Sequence, residues 1–185
     1  MRSFFVFMLF VLTLSTCFAK DVIHYDLALS CSPDNYGLSG EAIISFKGDI
    51  PSYFLLHNRL RVTTPNKNVK ITRLPRAPKG ADFKMSKERF PFGKSNTVAF
   101  YEIKAPTKCH QIILRYKGLM YHPFNQAKEE YSRSFQSTKG IVEKRGVYLA
   151  SSSLYYPWFG DKLMSFRLRP FLPRRWHSVS QGTFK

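Results

Sequence analysis

The strongest constraint in this sequence is an alternation with a period of two. Ile23, Tyr25, Leu27, Leu29 and Cys31 alternate with His24, Asp26, Ala28 and Ser30. Successive side chains of a strand point to opposite faces, so the pattern predicts a half-buried strand. The same signal recurs along the chain. Asp34-Asn35-Tyr36-Gly37 is a turn signal, and beyond it Ala42, Ile44 and Phe46 share one side of a second strand over 41–47. Gly48-Asp49-Ile50-Pro51 turns the chain again, into a short third strand from Tyr53 to His57. Leu60 and Val62 mark a fourth strand, and Val69 and Ile71 a fifth. Thr97–Ile103 and Cys109–Tyr116 return to strand character, with Ile112, Leu114 and Tyr116 alternating against Ile113, Arg115 and Lys117. Gly146–Ala150, Leu163–Leu172 and a last strand around Val179 complete the set.

Two stretches interrupt this rhythm. Pro75, Pro78, Gly80, Pro91 and Gly93 break any regular element over 75–95. Residues 122–145 are polar and lack a clear period; Lys128-Glu129-Glu130 either seeds one helical turn or belongs to a long loop. No segment has a convincing amphipathic helix pattern. About 9–11 short strands with regularly spaced turn signals predict an all-β fold, an antiparallel β-sandwich or a twisted, saddle-like sheet. The 17 Phe, 10 Tyr and 2 Trp among 185 residues agree, because aromatic rings favour the pleated surface. There is no heptad pattern or long internal repeat, which excludes coiled coils and solenoids.

Residues 1–19 read as an address. Met1-Arg2-Ser3 is a short positive start, Phe4 to Leu14 is an apolar core, and Ser15 to Ala19 is small-residue rich. Cys17 and Ala19 stand where a signal peptidase looks for small side chains. The apolar run is too short to span a bilayer. The expectation is a signal peptide over 1–19, a single β domain over 20–185, and a periplasmic or secreted protein. Leu14-Ser15-Thr16-Cys17 is a poor lipoprotein signal because Thr directly precedes the Cys. With Cys17 removed, Cys31 and Cys109 remain; they either form one disulfide or stay as two separate buried thiols. Neither has a second ligand at metal-binding spacing.

No self-sufficient active site is readable. The five histidines, His24, His57, His110, His122 and His177, form no HExxH and no helical i, i+4 pair, and read as strand or turn residues. Ser151-Ser152-Ser153 lacks the flanking glycines of a nucleophile elbow. Cys109 and His110 are adjacent on a strand, so they point to opposite faces. No Gly-rich phosphate loop exists among the ten glycines. The expectation is therefore no catalytic residue and no metal ligand in this chain.

Charge is the remaining signal. The chain has 29 Lys+Arg against 12 Asp+Glu, a net charge of +17. Residues 58–95 hold eleven Lys/Arg against Asp82 and Glu88, and residues 162–185 hold six Lys/Arg and no acid. A basic sheet with aromatics can bind single-stranded nucleic acid. Here the charges are spread out, no RNA-binding motif is present, and an exported protein meets little nucleic acid, so no nucleic-acid partner is expected. An anionic cell-envelope surface, acidic lipid or acidic polysaccharide, fits better.

Three groups of segments, in fixed order, carry a resemblance. The first is His24-Tyr25-Asp26-Leu27-Ala28-Leu29 with Leu38-Ser39-Gly40-Glu41-Ala42-Ile43-Ile44-Ser45-Phe46. The second is Tyr53-Phe54-Leu55-Leu56-His57-Asn58 with Ile112-Ile113-Leu114-Arg115-Tyr116-Lys117-Gly118. The third runs Gly146-Val147-Tyr148-Leu149, Tyr155-Tyr156-Pro157, Phe166-Arg167-Leu168, Leu172-Pro173, Trp176 and Val179-Ser180-Gln181-Gly182. Together they resemble the N-terminal β domain of the aminopeptidase N family, the gluzincin zinc aminopeptidases, over residues 23–182. Tyr155 stands where many members carry Trp, and Pro170 where a valine is usual. The family's substrate-side Gln or Glu motif has no clear match. The family's GxMEN loop and HExxH zinc helix are also missing from this sequence.

The resemblance implies fold and ancestry and carries over no catalytic residue. It implies a truncated or split family member whose zinc belongs to a catalytic domain, which a separately encoded partner would supply. Tyr155, Tyr156, Trp158 and Phe159 then have two readings: packing around Pro157, or a docking surface for that neighbour. The alternative to the whole reading is a free-standing secreted β-sandwich on an anionic envelope surface.

Overall fold

The computed structural model describes residues 22–78, 97–126 and 136–183. The predicted signal peptide, most of the Pro/Gly-rich stretch and Lys128-Glu129-Glu130 lie outside the described residues. The strands are β1 (Val22–Ser32), β2 (Gly37–Phe46), β3 (Tyr53–His57), β4 (Leu60–Thr63), β5 (Lys70–Leu74), β6 (Val98–Lys104), β7 (Gln111–Leu119), β8 (Asn125–Gln126), β9 (Gln136–Ser137), β10 (Ile141–Glu143), β11 (Gly146–Tyr148) and β12 (Leu163–Phe171). The fold is all-β. No helix among the described residues is long and apolar enough to cross a membrane.

Five strands form the larger sheet, in the order β12-β1-β2-β7-β4, and three form a second, in the order β3-β6-β5. The period-two pattern decides which faces meet. Ile23, Tyr25, Leu27 and Leu29 of β1, Ala42, Ile44 and Phe46 of β2, and Ile112, Leu114 and Tyr116 of β7 all point inward and are buried. They join Phe54, Leu55 and Leu56 of β3 and Ala99, Tyr101 and Ile103 of β6 in one core. Pairing is antiparallel except between β1 and β12, which run parallel. A parallel pair needs a long crossover, and here nearly the whole domain lies between the two strands.

The segment after β11 completes this core. Backbone bonds join Leu55 and Trp158 in both directions, each 2.9 Å, and the His57 amide donates to the Leu154 carbonyl at 2.9 Å. The 154–159 segment thus covers the edge of β3 that β6 leaves free. Its rings reach both sheets. Phe159 packs edge-on against Phe46 at 5.2 Å and lies 5.5 Å from Phe54. Tyr156 meets Tyr25 edge-on at 5.6 Å. Burying each such ring stabilises by about 2–3 kcal/mol, and edge-to-face pairs add about 1 kcal/mol.

The structure decides two open readings and corrects one expectation. Tyr156, Trp158 and Phe159 are buried and Tyr155 is half-buried, so this aromatic segment packs in the core, the first of its two readings. Cys31 and Cys109 are free and sit at opposite ends of the larger sheet. Cys31 pairs with Leu38, whereas Gln111, just after Cys109, pairs with Ser45 at the far end of β2. That offset is more than about 20 Å at strand spacing, and a disulfide needs Cα atoms within about 7 Å. Finally, Val179 lies in no strand and is fully exposed, so the last predicted strand is absent. Pro170, unusual in a strand, sits in β12 at the end of the strand order, the kind of position to which sheets confine proline.

Candidate functional site

The outward residues of the larger sheet complement its core. Alternation that buries Tyr116 and Leu60 turns Lys117 and Arg61 outward, and the ladder sets Arg61 directly opposite Lys117. Ser39 of β2 is the next residue in the same row, paired with Lys117 on its other side. Adjacent strands lie about 4.8 Å apart, so one rung presents a hydroxyl and two cations in line. Gly118 allows β4 to come this close, because a Cβ there would lie 1.9 Å from the Arg59 carbonyl oxygen.

Arg59 and Arg73 extend the cluster. The Arg59 guanidinium is held by donating to the Tyr121 carbonyl at 3.2 Å. Arg73 comes from the second sheet, and its field, with that of Arg61, reaches the Tyr101 hydroxyl. Burial raises the pKa of that hydroxyl, and the two guanidinium charges oppose the shift. Tyr101 donates to the Leu60 carbonyl at 3.2 Å, which ties β6 to β4 beneath the cations. Arg59, Arg61, Arg73 and Lys117 line a groove of about 630 Å³ whose walls contain no acidic side chain.

Five of the described acids pair with cations outside the groove. Asp26 takes both Arg169, at 3.0 Å, and Arg167, at 3.8 Å, across the β1–β12 pair. Glu41 holds Arg115 at 2.6 Å, and Glu143, Asp34 and Glu102 pair with Arg145, Lys144 and Lys104. Among the described residues, none of the four groove cations has an ion-pair partner. Like charges directly opposite one another destabilise a sheet, so this row costs stability where nothing offsets its charge.

A second cluster is hidden in the sequence. His57, fully buried at the end of β3, and His122 approach through their Nε2 atoms at 2.8 Å. The Arg59 amide donates to His57 Nδ1 at 3.2 Å. His57 therefore carries its proton on Nε2 and donates to His122, whose own proton is on Nδ1. Burial, then the neighbouring His122 and Arg59, bring the His57 pKa down to about 4. Burial, Arg59 and Lys139 lower that of His122. Both rings are thus neutral at neutral pH.

The pair does not fit a zinc ion. A metal-bound imidazole uses its second nitrogen as a donor, whereas His57 Nδ1 accepts. Two nitrogens on one tetrahedral zinc also stand roughly 3.3 Å apart, wider than this contact. Among the described residues, no three His, Cys, Asp or Glu side chains are grouped to hold a metal. His24 and His110 are a strand and a turn residue, bonded to the Ser165 hydroxyl and the Gly48 carbonyl. No protein-family model and no curated protein matches this chain.

The buried imidazole makes stability depend on pH. In the unfolded chain His57 takes its proton near pH 6.5, and in the folded protein only near 4. Between those values the unfolded state binds more protons, so stability is intact above the window and falls as pH drops through it. The loss should reach about 3 kcal/mol by pH 4. Chemical denaturation across this range should show that slope, and His57→Gln should flatten it. An unchanged slope in the variant would assign the effect to other groups.

Proposed function

We propose that this chain is a non-catalytic, exported β domain of the aminopeptidase N type, serving peptide hydrolysis by docking to a zinc-bearing catalytic partner. The observation that carries this reading is spatial. The segments behind the resemblance are far apart in sequence, yet four of them become neighbouring strands, β12, β1, β2 and β7, of one sheet. The Tyr53–His57 and Tyr155–Pro157 segments also meet, through the Leu55–Trp158 ladder. The surface such a partner would take is the free edge of β12. Leu163, Met164, Phe166 and Phe171 are exposed there, along a nine-residue strand that, among the described residues, is paired on one side only. A long apolar edge of this kind calls for a cover.

The chemistry agrees with a non-catalytic part. Hydrolysis by zinc requires metal ligands and a general base converging on one water. The histidines that do converge, His57 and His122, spend their nitrogens on each other and on the Arg59 amide. The purified chain is expected to leave aminoacyl-p-nitroanilides intact, with or without added zinc. Robust zinc-dependent turnover would contradict the proposal.

The groove of Arg59, Arg61, Arg73 and Lys117 favours a second reading, attachment to an anionic envelope surface. Exposed charge of this kind is screened by salt. Retention on acidic vesicles should therefore fall as ionic strength rises, and equal retention at low and high salt would count against it. The two readings are compatible, since the groove and the β12 edge lie at opposite ends of the strand order.

A further inference from the structure

We propose that the row Ser39–Lys117–Arg61, closed by Arg59 and Arg73, is a binding site for a phosphate-bearing ligand. The inference rests on the anion-binding reading and deepens it to a defined site and a ligand class. Three features together mark this row. The first is register: Arg61 and Lys117 are direct cross-strand partners, a repulsive placement that a shared anion would turn into an attractive one. The other outward arginine of β7, Arg115, has Glu41 beside it at 2.6 Å, and the β12 arginines share Asp26. Of the cations within the strands of the larger sheet, Arg61 and Lys117 alone have no ion-pair partner among the described residues, and the opposed Lys70–Lys104 pair of the second sheet has Glu102 beside Lys104 at 3.5 Å.

The second feature is convergence. The cations come from both sheets: Arg61 and Lys117 from β4 and β7, Arg73 from β5, and Arg59 from the turn before β4. Arg59 is already fixed by the Tyr121 carbonyl, so ordering it around a ligand costs little further entropy. The third feature is donor chemistry. Guanidinium groups offer paired N–H donors that match phosphate oxygens, the ammonium of Lys117 adds a point charge, and the Ser39 hydroxyl supplies a neutral donor in the same row. A groove of about 630 Å³ accommodates a headgroup or a diphosphate rather than a long polymer. The shared chemistry is the phosphate group, carried either by a lipid headgroup or by a soluble compound.

The test uses the purified chain, pyrophosphate as the soluble probe, and vesicles containing phosphatidic acid or, at matched surface charge, phosphatidylglycerol. Calorimetric titration should detect pyrophosphate binding. Arg61→Gln and Lys117→Gln should each weaken it by about tenfold, the loss of one charge-assisted contact. Arg167→Gln, an outward β12 arginine of the same charge, should leave it unchanged. Displacement of pyrophosphate by phosphatidic acid vesicles identifies a lipid headgroup as the source; binding without displacement identifies a soluble phosphate compound. Either result upholds the site. Equal affinity of the wild type and both groove variants, or an equal loss in Arg167→Gln, would overturn it while leaving a diffuse anionic attachment standing. Failure of every acidic vesicle to retain the chain at low salt would remove the underlying reading as well.

Discussion

Two backbone hydrogen bonds between Leu55 and Trp158 join the smaller sheet to the segment that fills the space between the layers. Strand β3 is paired with β6 on one side only, and its four residues from Phe54 to His57 are all buried. A buried edge with unpaired amides would cost several kcal/mol. The 154–159 segment removes that cost by acting as a short extra strand. It can do so because Phe159 and Tyr156 are anchored against Phe46 and Tyr25 of the larger sheet. The same segment is thus hydrogen-bonded to one layer and packed against the other.

This arrangement determines what is left for the outside. With the apolar faces consumed internally, the outward face of the larger sheet carries the charge. The acids are distributed so that most outward arginines and lysines near them are matched, at Asp26, Glu41 and Glu143. The cations at the β4 end are not matched among the described residues. The two proposed binding surfaces lie at the two ends of the strand order: a cationic groove at β4 and an apolar edge at β12. The interior pair of His57 and His122 serves neither end directly. It supplies a buried polar contact that limits stability in acid.

Much of the architecture was legible in the sequence because strand periodicity is a local signal. The inward set of β1, from Ile23 to Leu29, is the set that alternation selects. The extents of β3, β4, β6 and β12 also follow from short apolar runs bounded by turns. What was not legible depends on register and distance. Whether Cys31 and Cys109 meet is invisible in the sequence, and the β1–β2–β7 ladder sets them at opposite ends of the sheet. The aromatic segment is flanked by loops in sequence, which leaves both of its readings open, yet its neighbours in space are the two sheets. The contact of His57 with His122 spans 65 residues. Its only trace in the sequence is that His57 closes a continuous apolar run, where burial on both faces is expected. The basic stretch 58–95 contains Arg59, Arg61 and Arg73 without marking them as a group, and Lys117 lies outside it, brought beside them only by strand pairing.

Amide hydrogen exchange tests the central claim most directly, because it reads the opening of individual backbone bonds. The amides of Leu55, His57 and Trp158 should exchange as slowly as mid-strand amides of β2 such as that of Ile44. Exchange of Leu55 and Trp158 as fast as that of the exposed Val179 would show that the 154–159 segment does not hold the layers together, and would contradict the account.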